Sequence, residues 1–481
     1  MSETNGALRR LVVAVVALLA VPLGLSAAGV ISASGDSFPA ATPPATSCSR
    51  SSHPETGIQG RVPAEDYASG RAAKGYDCSA KLVSRVPGTG GFKVLRYKDT
   101  AGHTCAFFDS TRLFPTDVFM QARDGFGVIV VDMTDPAKPV KTTTLVSPAM
   151  MSPHESLLVH QGRGMLAAVM GNAFALPGLL DIYDVRQDCR NPKLVSSTPS
   201  ALLGHESGWS PDGKTFYASS GGGQSLTAID VTDPAHPAKL FEQYGVNYHG
   251  MRLSADGRTM YVANIGNDLS GGTLPGHGLR ILDVSQIQDR VPNPSVPVLS
   301  DLTWPEGSIP QVNQPFTRNK HLYLLEIDEF ARIGVGSPAD APVGAARIIK
   351  VDDPRHPKVI SNLRLAVQQP AARKASYDDP GGDNALGGYT GHYCSLPYEK
   401  DPRIVACSMI NSGLRVFDIS NLRRPVEVAY FNRPAPDVGS SAMAQPAWDV
   451  KHRMIWFTDT ARGFFAIRLT HGAKELLRRK Q

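Results

Sequence analysis

The segment Gly127-Val-Ile-Val-Val-Asp132-Met-Thr-Asp-Pro136-Ala-Lys-Pro139 decides the fold. Its β-branched run has strand composition and ends at an aspartate. A second aspartate then meets a proline, which fixes φ while the aspartate side chain caps the turn. Such a phrase is a strand followed by a turn, after which the chain resumes as another strand, as in Pro357-Lys-Val-Ile360. The phrase recurs as Asp181-Ile-Tyr-Asp184 with Asn191-Pro192, Leu226-Thr-Ala-Ile-Asp230-Val-Thr-Asp-Pro234, and Leu279-Arg-Ile-Leu-Asp283. Later copies are Arg347-Ile-Ile-Lys350-Val-Asp-Asp-Pro354, Leu414-Arg-Val-Phe-Asp418, and the worn Phe464-Phe-Ala-Ile467-Arg468-Leu.

A second hairpin precedes most copies. His205 to Ala218 and His249 to Val262 each carry Asp-Gly as a tight turn between strand-like runs. Two hairpins make four strands per repeat, and the markers Asp132, Asp184, Asp230, Asp283, Lys350, Asp418 and Arg468 recur every 46 to 68 residues. Four strands at that period are the signature of propeller blades, in preference to stacked sandwiches. The expected fold is all-β: a seven-bladed β-propeller of four-stranded antiparallel blades.

The phrase resembles the LVIVD repeat, whose family is named for runs such as Val128-Ile-Val-Val-Asp132. The resemblance covers roughly residues 90 to 470, most strongly in the third, fourth and sixth blades and weakly in the fifth and seventh. It implies a propeller at an exported or cell-surface location and implies no particular reaction. The last blade has three evident strands after Gln445, so an N-terminal strand, Phe92 to Tyr97, is expected to supply its fourth and protect the open edges. Insertions at Asp268 to His277, Glu329 to Val343 and Val367 to Tyr389 are Gly/Pro/Asp-rich, and long loops on a rigid ring are where function concentrates.

Four divisions follow from composition. Residues 1–33, with Arg9-Arg10 before an apolar run and Pro22, read as a signal peptide cleaved after Ala28 or Ala33, or else as an uncleaved membrane anchor. The flanks of Arg9-Arg10 match a twin-arginine signal poorly. Residues 34–77 form a flexible linker and N-terminal extension, 78–470 the propeller, and 471–481 a basic tail. The net charge of +5 over 481 residues is spread thinly, and no basic stripe interleaved with aromatics points to nucleic acid. Membrane contact is expected only through an uncleaved N-terminal segment, and the protein is expected to be secreted or held at the cell surface.

Six cysteines in an exported chain favour disulfides. A hairpin centred between Lys400 and Asp401 places Cys394 opposite Cys407 for a cross-strand bridge, whereas Cys48, Cys78, Cys105 and Cys189 allow three connectivities.

Gly208-Trp-Ser-Pro-Asp-Gly213-Lys214-Thr215 has P-loop spacing, but it is a hairpin turn and leads into strand-like Phe-Tyr-Ala, so nucleotide binding is rejected. No Gly-x-Ser-x-Gly elbow, zinc-protease helix or EF-hand loop is present. Aligning the blades on their hairpins puts His103, His154, His205, His249 and His392 at the start of the first strand, with Gln311 or Asn313 and Gln445 in the other two blades. First strands line a propeller's channel, so these imidazoles would ring one mouth. His154, His205, His249 and His392, with His103 as a further member, are the candidate ligands for Zn, Cu or Fe. Glu155 and Glu206 are expected to point away along the alternating strand and to orient the imidazoles from behind. Repeat-inherited histidines that merely hydrogen-bond loops between blades are the plainer alternative. The acidic run Asp378-Asp379 to Asp383-Asn384 offers oxygen ligands for calcium without a defined spacing. The function expected from sequence is a binding or scaffolding module for an unidentified protein or small molecule. The alternative is a metal-dependent oxidoreductase or lyase.

Overall fold

The computed structural model describes residues 38–45, 48–110, 127–171, 177–220, 224–266, 277–304, 306, 308–329, 343–382, 388–434 and 441–478. Two strands precede the first blade, β1 (Tyr76–Cys78) and β2 (Ala80–Val86). Blade one is β3 (Val94–Lys98), β4 (Thr104–Asp109), β5 (Val128–Asp132) and β6 (Val140–Leu145). Blade two is β7 (Leu158–His160), β8 (Met165–Val169), β9 (Gly178–Asp184) and β10 (Lys193–Ala201). β11 (Ser207–Trp209), β12 (Thr215–Ser220), β13 (Ser225–Asp230) and β14 (Ala238–Tyr244) make blade three. β15 (Tyr248–Leu253), β16 (Thr259–Asn264), β17 (Gly278–Asp283) and β18 (Val298–Thr303) make blade four. Blade five holds β19 (Ile309–Arg318), β20 (His321–Glu329), β21 (Ala346–Lys350) and β22 (Lys358–Leu363). Blade six holds β23 (Tyr393–Ser395), β24 (Ile404–Ser408), β25 (Leu414–Asp418) and β26 (Val426–Asn432). The last blade takes β27 (Ala447–Asp449), β28 (Met454–Asp459) and β29 (Gly463–Leu469) from the C-terminal part of the chain.

The result is a seven-bladed β-propeller of antiparallel sheets. It closes through an N-terminal strand, but a different one from the strand expected. β2 pairs with β29, Ala80 opposite Leu469 through Val86 opposite Phe464, and becomes the outermost strand of blade seven. Val94 to Lys98 is instead the innermost strand of blade one. His103 lies in the turn between β3 and β4, so the first strand of blade one precedes it and is not spare. Closure is sealed by apolar packing: Phe108, Ile129 and Val131 of blade one meet Trp456, Phe464 and Ala466 of blade seven, all buried. Each large side chain buried there contributes about 1.5–3 kcal/mol.

The repeated aspartates do what the phrase requires. The carboxylate Oδ1 atoms of Asp132, Asp184, Asp230, Asp283 and Asp418 accept the main-chain N–H two residues on, at 2.7–2.9 Å. Beside the turns of blades three, five and six a serine from the preceding blade's outer strand donates to a turn carbonyl: Ser196 to Pro234, Ser300 to Pro354 and Ser361 to Leu422. Ser84 of β2 donates to Pro136 in the same way at 2.6 Å. The closing strand therefore makes the same inter-blade bond as β10, β18 and β22.

Three disulfides are present: Cys48–Cys78, Cys105–Cys189 and Cys394–Cys407. They suit an oxidising environment. The first ties the N-terminal extension to β1, the second staples blade one to blade two, and the third spans the β23–β24 hairpin, where the two cysteines lie directly opposite.

The stretch from Phe38 to Ala45 is not a free linker. Thr42 exchanges hydrogen bonds with the main chain of Arg364, and the Arg364 guanidinium lies over the Phe38 ring. Farther on, Glu55 and Glu427 grip the buried Arg415, and Arg61 pairs with Asp379. The C-terminal segment also packs down, with Leu476 and Leu477 in the core of blades six and seven. No helix among the described residues is long and apolar enough to cross a membrane. The proposed signal or anchor at 1–33 lies outside the described residues.

Candidate functional site

Within each blade the first strand starts, and the second ends, at the same mouth of the channel. Asp109 at the end of β4 accepts the N–H groups of Phe92 and Lys93, just ahead of β3. The equivalent inner positions of the seven blades are Lys93, His154, His205, His249, Gln311, His392 and Gln445, of which His205, His249, Gln311 and His392 meet around Glu155 at that mouth. His103 is not among them. It lies in the β3–β4 turn at the opposite face, where Asp99 accepts its Nδ1 at 2.9 Å. Lys93 fills the place that the alignment gave to His103.

The two glutamates behave differently from expectation. Strand alternation would turn Glu155 and Glu206 away from the channel, but neither residue sits in a strand. β7 begins at Leu158 and β11 at Ser207. His154 has a φ of +51°, uncommon for a side chain with a Cβ, and it belongs to a turn in which the Ser156 N–H donates to the Pro153 carbonyl. In this irregular backbone both members of each His-Glu pair face the axis.

Glu155 is the hub. Its Oε1 lies 2.9 Å from His392 Nε2 and accepts Gln311 Nε2 at 2.6 Å. Its Oε2 lies 3.3 Å from His205 Nε2 and 3.2 Å from His249 Nε2. Glu329, the last residue of β20, completes the group at 3.4 Å from His249 Nε2 and 3.1 Å from His392 Nε2. The His154 ring packs edge-on against His205, with centroids 4.3 Å apart. His154, Glu155 and His205 each bring one ligand atom within 4.8 Å of the others, as do His205, His249 and Glu329, and likewise Glu155, Glu329 and His392.

Two imidazoles are oriented from behind. Nδ1 of His249 lies 2.9 Å from the Pro310 carbonyl, and Nδ1 of His392 lies 2.5 Å from the Met443 carbonyl. A carbonyl only accepts, so each Nδ1 carries the proton and each Nε2 is aimed at the cluster. The Nε2 atoms of His205 and His249 are 2.5 Å apart, a separation that leaves room for at most one proton between them. His249 and His392 are fully buried, whereas the His205 side chain is 23% exposed, so the cluster opens toward solvent on the His154–His205 side.

The charges follow this geometry. Burial works against a charged His392, but hydrogen bonds and charge from Glu155 and Glu329 outweigh it and push its pKa up to about 10. His249 is also raised, burial again being overcome by Glu329 and Glu155. His205 is lowered, by burial and by its neighbour His249. For Glu155 burial is more than offset by the three imidazoles, which hold the carboxyl well below the usual range.

Below this cluster a second carboxylate crosses the channel. Glu206 of blade three takes hydrogen bonds from Lys93 of blade one, from Tyr393 of blade six at 2.6 Å and from Arg252 of blade four at 3.1 Å. It passes over Gly250, where a Cβ would lie 2.9 Å from Glu206 Cγ and 2.2 Å from the Gln311 carbonyl oxygen. Any other residue there would displace the carboxylate. Burial lowers the Lys93 ammonium and raises the Tyr393 phenol well above its usual value.

Sequence reasoning brought together His154, His205, His249, His392, Gln311 and Gln445. It missed Glu329, Lys93, Tyr393 and the inward aim of Glu155 and Glu206. The available signal was the acidic residue after His154 and after His205, together with the acid that opens the insertion at 329. Asp379 of the proposed calcium loop is committed to Arg61 and the Ala64 N–H, and Asp383 and Asn384 lie outside the described residues. The P-loop-like segment is the β11–β12 hairpin.

No family model matches the chain, and no curated protein matches it. Among solved structures it is similar to a Lactobacillus plantarum protein at 10% identity, over 74% of this chain and 89% of that one, with a TM-score of 0.50. It is also similar to the hydrazine synthase of Kuenenia stuttgartiensis at 13% identity, over 82% and 98% of the two chains, with a TM-score of 0.48. A Bacteroides fragilis protein described as a 6-phosphogluconolactonase matches at 11% identity, over 77% and 92%, with a TM-score of 0.46. At such identities the likeness is one of fold, and the fold it supports is the β-propeller.

Proposed function

We propose that this chain is an exported propeller of the LVIVD-repeat type that holds a transition metal on its axis and works there on a small molecule as an oxidoreductase or lyase. One observation carries the reading: imidazole Nε2 atoms from blades three, four and six converge with two buried carboxylates, Glu155 and Glu329. Metal–ligand bonds of about 2.0–2.1 Å in a tetrahedron set the ligands about 3.3 Å apart. The separations of Glu155 from His205 and His249, and of His249 from Glu329, are 3.3, 3.2 and 3.4 Å, whereas the Nε2 atoms of His205 and His249, 2.5 Å apart, would have to spread by about 0.8 Å to share one ion. Nδ1–H groups fixed on main-chain carbonyls are the outer partners that metal-bound histidines use. Nitrogen and carboxylate ligands together suit Zn or Fe better than Cu(I), which favours sulfur.

When bound, the metal would act as a Lewis acid on a substrate oxygen or on water. His205 and His249 with Glu155 would hold it, Glu329 and His392 would close the buried side, and the His154 side would admit the substrate. Elemental analysis of protein exported natively and purified without an affinity tag tests this reading. One equivalent of Zn or Fe, lost in Glu155→Gln, is expected. Metal-free protein that takes up none on titration would overturn the proposal.

A binding or scaffolding module is the second reading, favoured by the connections between second and third strands, which leave from and return to this one mouth. Recovery of a partner by the mature, metal-free protein would support it.

A further inference from the structure

We propose that the other end of the channel is a binding subsite for a small organic carboxylate. Beneath the Glu206 crossing lies a cavity of about 360 Å³ lined by Arg252, Gln314, Pro315, Leu396, Tyr398, Glu399 and Gln445. It opens toward the face that carries the repeat's turns, since Glu399 belongs to the β23–β24 connection, and it is separated from the histidine cluster by Glu206, Lys93 and Tyr393.

Two donors at the inner wall give this cavity its chemistry. Arg252 uses Nη1 on Glu206, on the Ser207 carbonyl and on its neighbour Met251, at 3.1, 2.9 and 2.6 Å. Its Nε and Nη2 have no partner among the described residues, and the side chain is partly exposed at the cavity wall. Gln445 receives the Lys93 ammonium on Oε1 at 3.2 Å. Lys93 can only donate, so the amide is oriented by that bond and the Gln445 Nε2 amino group is left for the cavity.

Arg252 and Gln445 line the same cavity from blades four and seven, and a guanidinium and an amide NH₂ can each donate to an oxygen of a carboxylate held between them. The local charge agrees, because Lys93 and Arg252 share the single carboxylate of Glu206. Pro315 and Leu396 supply a small apolar patch for a short hydrocarbon chain, and Gln314 and Tyr398 keep the remaining wall polar. Glu399 is the one acid on the wall, and it stands exposed at the rim, where water and salt screen it.

Titration calorimetry with succinate at constant ionic strength tests the subsite. EDTA is present throughout, so that a metal at the histidine cluster cannot supply the binding and failure of the metal reading leaves this result intact. One succinate per chain is expected, weakened tenfold or more in Arg252→Gln and in Gln445→Glu, with no binding of neutral succinamide. Gln445→Glu keeps an oxygen for Lys93 while replacing the amino donor by a second acceptor, so it preserves the belt and carries the test should Arg252→Gln fail to fold. Absence of succinate binding, equal binding of succinamide, or a folded Gln445→Glu that binds succinate as the wild type does would overturn the proposal.

Discussion

The two faces of the ring are built from one repeat and differ in nearly everything else. On the turn face the strands join through Asp-Gly and Asp-Pro hairpins whose carboxylates accept their own main-chain N–H groups, blade after blade. On the histidine face the backbone departs from strand geometry at His154, buried acids stand among imidazoles, and the long connections begin and end. The turn face spends its polar groups locally, within a few residues. The histidine face spends them across blades, with Glu155 of blade two reaching blades three, four, five and six. A side chain on the first face therefore matters to its own hairpin, and one on the second matters to the whole ring.

The sharpest test of that contrast is Glu155→Ala. Removing the hub leaves raised-pKa imidazoles at His249 and His392 with Glu329 as their remaining carboxylate. Breaking a buried ionic group by deleting one partner costs about 3–5 kcal/mol. Urea unfolding of the metal-free protein should report a loss of that size, and metal uptake should vanish with it. Asp233→Ala in an exposed turn, where the partner His236 is solvated, should change stability by under about 1 kcal/mol.

The disulfides sharpen the comparison from the other side. Cys105–Cys189 joins two blades at the turn face and closes 84 residues, whereas Cys394–Cys407 closes 13 within one hairpin. In the chain-entropy account the longer loop contributes about 4.5 kcal/mol and the shorter about 3. Paired Cys→Ala variants should rank in that order by denaturation midpoint, and the reverse order would mean that the short bridge holds more than its own hairpin.

The fold was legible because the turn face is written in local chemistry. Asp132 and its equivalents mark the end of five of the seven third strands, Lys350 and the worn last copy being the exceptions, and a reader needs only Asp-Pro and a β-branched run to find most of them. Ring closure was half legible. A missing fourth strand could be counted, but Ala80–Val86 carries no turn signal and three exposed or half-buried polar positions, so Val94–Lys98 competed for the role. The cluster was legible in its histidines, which the repeat keeps in register. It was not legible in its acids, because Glu155 and Glu206 face the axis only where strand alternation fails, and Glu329 is brought in by the end of another blade's second strand. No local pattern encodes a contact between blades five and four.

Acid should affect the two faces differently. Asp109 is buried under the histidine face, and burial, partly opposed by the N–H groups of Lys93 and Phe92, raises its pKa to about 7. In the unfolded chain the same carboxyl titrates near 3.9. Between about pH 7 and pH 4 the folded state holds a proton that the unfolded state lacks, so this group's contribution to stability rises as pH falls across that window and levels off below it. Asp109→Asn should flatten that part of the stability curve, by on the order of 1 kcal/mol or more over the window. Turn-face carboxylates such as Asp256 are lowered by Ser254 and by the Arg258 N–H, and their support is present above about pH 4 and lost below it.

A small effect on stability alone belongs to a turn that the repeat makes twice. Gly257 follows Asp256 at a φ of +72°, in the left-handed region that a Cβ disfavours, and an added Cβ would come within 2.9 Å of the Gln288 side-chain oxygen. That oxygen is the end of a flexible side chain and can move aside, so the backbone conformation is the main cost. Gly257→Ala should lower stability by about 1 kcal/mol. Metal content and succinate binding should stay at wild-type values, because the Asp256-Gly257 turn lies at the outer tip of the β15–β16 hairpin, beyond His249 and Arg252 on β15. Loss of either with the fold intact would mean that the turn face reaches the axis through Arg252, only four residues before Asp256 on the same hairpin, and that the division between the two faces is less complete than their hydrogen bonds imply.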